Sequence, residues 1–311
     1  MYRTYTIFKQ IFRRAKRVLL ADIEERLERI QLSLGRIEMR QLIDYEPNKI
    51  TDVEFQVFSQ FGEDGIIQYL IQKVPINKKI FVEIGVENYK ESNTRFLLQN
   101  NNWAGLVIDS SCDNIEEVKK DPIYWKYNLK AECAFVDAEN INSILLKNGI
   151  SGEIGLLSID IDGVDFWVWK VIDCISPRIV ICEYNSLFGP KAAVTVPYVK
   201  DFQRTKAHYS NLYFGASLRA LELLGRTKGY SLVASNSAGT NAFFVRNDVL
   251  GDLRPLTSEE AYVEIQSRQS RNEKGELTFL NREESLKLIE DMPVYDIEKQ
   301  KILKIKDVIH D

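Results

Sequence analysis

Short apolar runs alternate with amphipathic, helix-length segments through the middle of the chain. The runs predict five strands, at 80–84, 105–109, 132–137, 155–162 and 178–183. The segments between them predict helices at 91–99, 115–120, 141–147 and 166–172. Strands that alternate with helices at this spacing are typical of a doubly wound, Rossmann-like α/β fold with a mostly parallel sheet.

The pattern changes after the fifth predicted strand. An amphipathic helix is predicted at 216–224, and two apolar runs at 230–234 and 242–246 flank a turn rich in Ser, Gly and Asn. This arrangement predicts a C-terminal antiparallel hairpin at the end of the sheet. Charged segments at 259–268 and 283–291 predict helices in a C-terminal tail.

Near the N-terminus, apolar residues recur at alternating spacings of three and four, which is the pattern of a short coiled-coil seam. They are Leu20, Ile23, Leu27, Ile30, Leu34 and Ile37. We expect a homo-oligomer through this seam, and the alternative is a single helix that packs on its own domain. Three regions follow from these patterns: a basic N-terminal helix with a coiled coil at 1–46, the sheet domain at 47–250, and a helical appendage at 251–311.

Composition and net charge limit the classes of partner that this chain can bind. The chain has 311 residues, of which 45% are hydrophobic, and its net charge is −4, so it can bury a full core but has no strongly basic body for a nucleic acid. The four cysteines have no CxxC spacing, which favours unpaired thiols in the cytoplasm over a disulfide framework.

The first 20 residues contain six Lys or Arg residues, several aromatic residues and no acid. Their apolar runs are too short for a signal peptide or a membrane span. From these basic and aromatic residues we predict weak contact of the segment with an anionic membrane surface. The alternative is a helix face that is only solvated.

The stretch 79–109 contains the first candidate ligand-binding residues. The predicted first strand contains Glu83 and stops at Gly85, and the second strand ends at Asp109. An acid at that position can accept hydrogen bonds from both hydroxyls of a ribose. Because Glu87 and Asn88 stand where a dinucleotide fingerprint would need glycines, a nucleoside without phosphates fits better. The alternative is an ordinary βαβ unit with a capping turn.

With its VEIGV motif and Asp109, this stretch resembles the class I S-adenosylmethionine-dependent methyltransferases. The preceding motif S-Q-x-G-E-D-G resembles the corresponding segment of the FkbM type of methyltransferase. That resemblance implies that Gln60 and Asp64 border the cofactor. A capped helix start explains Asp64 equally well. The family pattern implies further cofactor-binding residues, namely Glu83, Gly85, Asn88, Thr94, Asp109, Asp160 and, near the adenine, Asp137 or Ala138.

Acidic residues emerge at the ends of the fourth and fifth predicted strands: Asp160 and Asp162 after one, and Glu183 with Asn185 after the other. Converging oxygen ligands suit Mg²⁺ or Mn²⁺. The arrangement is similar to metal-dependent O-methyltransferases of the catechol and macrolide-sugar kind, although Tyr184 separates the acid from the amide here. Asp165 fits the cap of the next helix better than a metal site.

The long aromatic-rich segment 189–217 contains His208, which can accept a hydroxyl proton or bind a metal. An exposed loop histidine need do neither. We therefore expect Asp160 and His208 as catalytic residues, and Asp160, Asp162, Glu183, Asn185 and His208 as metal ligands.

These patterns together predict a cytoplasmic methyltransferase that uses S-adenosylmethionine and a divalent metal. The FkbM likeness implies O-methylation of a carbohydrate acceptor, a sugar or sugar nucleotide of surface-polysaccharide biosynthesis. Two alternatives remain at this point. One is an NAD-dependent enzyme that modifies sugar nucleotides, and the other is a non-catalytic assembly subunit with the same fold.

Overall fold

A computed structural model describes residues 2–265 and 270–309, with side chains described from residue 22 onward within those ranges. The chain divides into two compact units, 1–46 and 47–311. The first unit contains one long helix, α1 (Tyr2–Gln41). Within the described residues, no helix is both long enough and apolar enough to span a membrane.

The second unit is built on two sheets and ten helices in its described part. The strands are β1 Ile80–Ile84, β2 Ala104–Asp109, β3 Leu129–Cys133, β4 Gly152–Ile159, β5 Ile175–Glu183, β6 Val194–Thr195, β7 Tyr230–Ser235, β8 Asn241–Arg246, β9 Pro293–Asp296 and β10 Lys301–Lys304. The helices are α2 Glu63–Lys73, α3 Arg95–Asn101, α4 Cys112–Lys120, α5 Pro122–Lys126, α6 Ile141–Lys147, α7 Asp165–Val171, α8 Arg204–Ala207, α9 Leu218–Lys228, α10 Ser258–Ala261 and α11 Arg282–Ile289. Short 3₁₀ turns lie at Ile50–Val53, Ser186–Phe188, Asn247–Val249 and Ile305–Asp307.

The large sheet has seven strands in the order β3-β2-β1-β4-β5-β8-β7. The first five are parallel, while β8 is antiparallel to both β5 and β7. This confirms the predicted Rossmann-like, mostly parallel sheet with a C-terminal antiparallel hairpin. The carboxyl ends of β1, β2, β4 and β5 therefore meet at one edge, and the strand order reverses between β1 and β4, where such folds bind ligands.

The core fills both faces of this sheet, which explains why its strands are near-continuous apolar runs. Trp169 of α7 packs against Phe244 of β8 with ring centroids 4.8 Å apart, and both side chains are buried. Burial of each large side chain contributes roughly 1.5–3 kcal/mol. Packing is close between β1 and β2 as well, since a Cβ at Gly105 would lie 2.1 Å from the Phe81 ring.

Helix starts and stops follow local chemistry. Ser217 caps α9 by accepting a hydrogen bond from the Ala220 amide, so the helix begins two residues later than predicted. It ends at Gly229, whose φ of +83° is left-handed and suits glycine. Helix α2 begins at Glu63, directly after Gly62, whose φ of +106° is left-handed.

Two predicted elements need correction. The third strand was expected at 132–137 but lies at Leu129–Cys133, which leaves 134–137 in the following loop. The tail was expected to be helical, yet β9 and β10 pair antiparallel and β9 also pairs with β6. Because of this pairing, the tail forms part of the same compact unit as the large sheet. The helix expected at 259–268 is only α10, and its predicted end at 266–268 lies outside the described residues.

The cysteine prediction is partly wrong. Cys112 at the start of α4 forms a disulfide with Cys133 at the end of β3. The parallel pairing of β2 with β3 explains this contact, because it brings the residues that follow β2 next to the end of β3. Cys174 and Cys182 are free thiols.

Candidate active site

A cavity of about 460 Å³ opens at the carboxyl edge of the parallel strands. Its walls are the turn after β1, the end of β2, the loop after β3, and the loops that follow β4 and β5. This is the edge at which open α/β sheets bind their ligands. The cavity is therefore the candidate active site.

Asp109 closes β2 at one side of the cavity. Its carboxylate accepts hydrogen bonds from the backbone amide of Glu87 at 2.8 Å and from that of Ser111 at 2.7 Å. These two bonds join the turn after β1 to the start of α4 and fix the orientation of the carboxylate. Because only 9% of Asp109 is exposed, its contact with solvent is through the cavity that it lines.

Gly85 allows two loops to approach each other. Its φ is +84°, and a Cβ there would lie 1.5 Å from the backbone oxygen of Asp160. Any side chain at this position would therefore push the turn after β1 away from the loop after β4. The glycine fixes the distance between the Asp109 side of the cavity and the Asp160 side.

Glu83 supports the wall between those two sides. Its carboxylate accepts hydrogen bonds from the amides of Asn93 at 2.8 Å and Thr94 at 3.1 Å, and from the Thr94 hydroxyl. Burial raises the pKa of Glu83 to about 7, although these hydrogen bonds favour the ionised form. Glu83 thus anchors the loop before α3 while one part of it faces the cavity.

Three carboxylates converge where β4 and β5 end. One oxygen each from Asp160, Asp162 and Glu183 lies within 4.8 Å of the others. Burial, followed by the charges of neighbouring acids, raises the pKa of both Asp160 and Glu183 well above the usual range. The Oε2 atom of Glu183 is buried and has no hydrogen-bond partner among the described residues. Clustered carboxylate oxygens with an unsatisfied buried atom fit a hard divalent cation.

Arg204 of α8 lies beside this carboxylate group. Its guanidinium pairs with Asp162, donates to the backbone oxygen of Asn211 at 2.5 Å, and stacks over the Phe214 ring at 3.8 Å from the centroid. This anchored cation holds Asp162, whose backbone φ of +54° is uncommon for a residue with a side chain. The charge of Arg204 also offsets part of the repulsion among the acids.

Asp165 does not cap the next helix as expected, because it is the first residue of α7 and the N-cap position is Val164. Asp165 is fully buried, and its two oxygens accept hydrogen bonds from the amides of Ile161 at 2.8 Å and Gly163 at 3.0 Å. Burial raises its pKa to about 6. Asp165 therefore closes the loop that presents Asp160 and Asp162.

The predicted cofactor residues fall into two groups. Those that line the cavity are Gln60, Glu83, Gly85, Asp109 and Asp160. The second group does not line the cavity and consists of Asp64, Asn88, Thr94, Asp137 and Ala138. Asp64 accepts hydrogen bonds from the amides of Val57, Phe58 and Ser59, which explains its burial without a ligand.

Local hydrogen bonds also hold the side chains of Thr94, Asn88 and Asp137 away from the cavity. The Thr94 hydroxyl is bonded to Glu83, and Asn88 points its amide nitrogen at Glu117. Asp137 accepts hydrogen bonds from the amides of Glu139 and Asn140 at 2.8 Å and so begins the turn into α6. Since β3 ends earlier than predicted, Asp137 and Ala138 lie beyond the cavity wall.

Two predicted metal ligands are not part of the carboxylate group. The Asn185 amide donates to the backbone oxygens of Leu212 and Phe214 and accepts from the Leu187 amide, so it ties together the loops after β5. His208 lies 2.7 Å from the Ser210 hydroxyl through Nδ1 and stacks on Tyr209. Burial lowers its pKa. His208 is absent from the lining residues of the 460 Å³ cavity.

Sequence reasoning missed several lining residues. The segment 134–136, with Phe135 partly exposed, forms the wall beside Asp109 because β3 stops at Cys133. Phe202 and Arg204 come from the aromatic-rich segment after β5, where only the unusual length of the connection signalled a functional loop. Asn241, at the start of β8, reaches the cavity because β8 pairs with β5 at Glu183.

A second cavity of about 200 Å³ adjoins the first and shares Glu183 and Arg204 with it. Its lining is rich in hydroxyl, amide and charged groups. The polar members include Thr240, Glu264, Ser270, Asn281, Arg282 and Ser285. The carboxylate group therefore lies between two polar compartments.

No protein-family model and no curated protein matches this chain. Among solved structures, the chain is similar to the N-terminal domain of EvdMO1 with SAH bound, at 12% identity and a TM-score of 0.40 over 68% of this chain and 94% of that one. It is also similar to TrmK of M. capricolum in complex with S-adenosyl-homocysteine, at 12% identity and a TM-score of 0.34 over 58% of this chain and 65% of that one. A third is an S-adenosylmethionine-dependent methyltransferase from Clostridium acetobutylicum, at 14% identity and a TM-score of 0.31 over 45% and 56%.

Proposed function

We propose that this protein is an S-adenosylmethionine-dependent methyltransferase that methylates a hydroxyl oxygen with the help of a divalent cation. One observation carries the proposal. A single cavity joins a ribose-type acid at the end of β2, Asp109, to the carboxylate group at the ends of β4 and β5. A nucleoside cofactor and an acceptor need this juxtaposition, since methyl transfer requires the two reacting atoms in line and close together.

The Asp109 side fits the nucleoside end of the cofactor. Its carboxylate is held by two backbone amides and can still accept hydrogen bonds from ribose hydroxyls. Phe135, in the wall next to it, offers an aromatic face for a purine. Gln60 and the Gly85 turn border the other part of the lining, where the methionine end would lie.

The carboxylate group fits the cation. Asp160, Asp162 and Glu183 would hold Mg²⁺ or Mn²⁺, which supplies polarisation of the acceptor hydroxyl and lowers its pKa. Arg204 keeps Asp162 in place. Asp160 would therefore act in the reaction as a ligand of that cation. His208, proposed from the sequence as a base, has no contact with the cavity that supports such a role.

The second cavity supports a polar acceptor. Its hydroxyl, amide and charged groups suit a molecule with many hydroxyls, and Arg282 suits a phosphate. We therefore favour a sugar or sugar nucleotide, of the kind used for surface polysaccharides, as the substrate. Such acceptors are made in the cytoplasm, which is the location that we propose. A net charge of −4 disfavours nucleic acid as a partner.

Calorimetry with S-adenosylhomocysteine and with NAD tests the cofactor. We expect binding of S-adenosylhomocysteine and none of NAD. Binding of NAD alone would replace the proposal with an NAD-dependent enzyme, and binding of neither would favour a non-catalytic assembly subunit.

The cation is tested by Mn²⁺ binding, followed by electron paramagnetic resonance. We expect Asp160→Asn and Glu183→Gln to lose Mn²⁺ and to retain S-adenosylhomocysteine, because both carboxylates belong to the group at the strand ends. Glu91→Gln is the matched control, since Glu91 lines the same cavity outside that group. Methyl transfer at full rate in EDTA, with no bound Mn²⁺ in the unmodified protein, would remove the cation from the proposal.

A further inference from the structure

Helix α1 carries an apolar face whose large side chains are exposed. Five large aliphatic side chains on this face are between 44% and 57% exposed. They are Ile23, Leu27, Ile30, Leu34 and Ile37. A continuous row of this kind costs free energy in water and points to a protein partner.

The row has a strict heptad register. With spacings of three and four, Leu occupies every a position and Ile every d position from residue 20 to residue 37. Dimeric coiled coils favour the reverse, β-branched residues at a and Leu at d, whereas Leu at a with Ile at d favours a larger number of strands. The packing geometry at a and d is interchanged between two-stranded and four-stranded coils, which accounts for this preference. The register therefore disfavours a dimer.

The flanking charges favour one orientation. The e positions carry Glu24 and Glu38, and the g positions carry Arg26 and Arg40. In a parallel bundle, each g position faces the e position five residues further along its neighbour, so the acidic row lies beside the basic row. The facing pairs are Arg26 with Gln31 and Ser33 with Glu38, and neither pair brings like charges together. In an antiparallel bundle, e faces e and g faces g, so acidic rows lie beside acidic rows and basic rows beside basic rows.

We propose that the protein assembles as a tetramer through a parallel four-stranded coiled coil of α1. The partner of each exposed face is the same face of other copies of this chain, because the row, its register and its flanking charges are all complementary to themselves. About three heptads give a marginal coil when isolated. A four-stranded core buries more of each seam residue than a two-stranded one, which offsets the short length.

The test is the mass of the full-length protein by size-exclusion chromatography with light scattering. We expect four times the chain mass of 36.0 kDa. Leu27→Glu with Ile30→Glu should give the monomer while S-adenosylhomocysteine affinity and the thermal transition of unit 47–311 stay the same. A mass of one, two or three chains for the unmodified protein would overturn the proposal.

A composition-matched variant tests the register itself. A variant that exchanges the two residue types keeps three Leu and three Ile but has the dimer pattern. Its substitutions are Leu20→Ile, Ile23→Leu, Leu27→Ile, Ile30→Leu, Leu34→Ile and Ile37→Leu. We expect the mass to fall from four chains to two. A tetramer that survives the exchange would show that the a and d residues do not set the assembly.

Orientation is tested with Gln41→Cys, at the next a position, in a Cys174→Ser background. Parallel helices place these thiols side by side, so oxidation should link chains within the tetramer. Failure of Gln41→Cys to cross-link, together with cross-linking when it is mixed with a Leu20→Cys variant, would establish an antiparallel bundle and contradict the proposal.

Discussion

The Asp109 carboxylate accepts hydrogen bonds from two backbone amides and lines the cavity, where the proposal assigns it to the ribose of the cofactor. Replacement by Ala should weaken S-adenosylhomocysteine binding by about 1–3 kcal/mol, since charge-assisted hydrogen bonds to the ribose are lost. Calorimetry gives the affinity. Asp113→Ala is the control, because Asp113 is exposed on α4 and does not line the cavity. Equal affinities in both variants would contradict the ribose role.

Glu83 should make stability depend on pH. Its pKa is about 7 in the folded protein, against 4.5 for an ordinary glutamate, so the folded state binds the extra proton between these values. Its contribution is therefore full below about pH 4.5 and is lost as the pH rises through 7. Relative to Glu83→Gln, which does not titrate, the free energy of unfolding should fall by up to about 3 kcal/mol between pH 5 and pH 8. Denaturant unfolding at both pH values measures it, and a difference that is constant or grows with pH would contradict the assignment.

Single residues differed in how far the sequence could reveal their role. Asp160 and Glu183 could be placed together because parallel strands end at one edge, and the structure confirms that they meet. The sequence left Asp64 open to both a ligand role and a capping role, and Asp137 was expected near the adenine. The structure shows the oxygens of both bonded to nearby amides. A carboxylate that completes a turn carries the same sequence signal as one that binds a ligand.

At the scale of elements, local patterns predicted local structure. The bounds of β1 and α6 agree with the expected ones, because a short apolar run before Gly85 and an amphipathic run after Asn140 need no distant partner. The pairing of β9 with β6 could not be predicted, since it joins residues about a hundred positions apart and β6 has only two residues. Such non-local pairing is set by the tertiary fold and not by propensity.

The disulfide between α4 and β3 joins two walls of the cavity, because the lining residues Ser110 and Ala134 lie two residues before Cys112 and directly after Cys133. Its partners are separated by 21 positions, so Cys133→Ser should lower the free energy of unfolding by about 3 kcal/mol. Reductant should cause the same loss in the unmodified protein and none in the variant. Both are measured by denaturant unfolding, with Cys174→Ser as a control that keeps the disulfide. An unchanged midpoint in reductant would show that the two thiols are unpaired in solution.

The whole molecule combines the sheet-containing unit at 47–311 with a helical unit at 1–46. The seam in α1 begins at residue 20, and the six basic residues precede it in the sequence. A parallel bundle of four helices would gather four such segments at one end. Each Lys or Arg near an anionic membrane contributes about 1 kcal/mol, and joining several weak sites in one particle raises their combined affinity.

Membrane binding should therefore depend on assembly. We expect the protein to sediment with vesicles that contain phosphatidylserine, and not with phosphatidylcholine vesicles, because the attraction is electrostatic. About 0.5 M salt should release it, since the screening length then falls to a few ångströms. Leu27→Glu with Ile30→Glu should bind far more weakly although each chain keeps all six basic residues, and a chain lacking residues 2–17 should not bind. Equal sedimentation of the assembled and monomeric forms would show that a single segment suffices, and sedimentation with neutral vesicles would show that the aromatic side chains, and not the charges, make the contact.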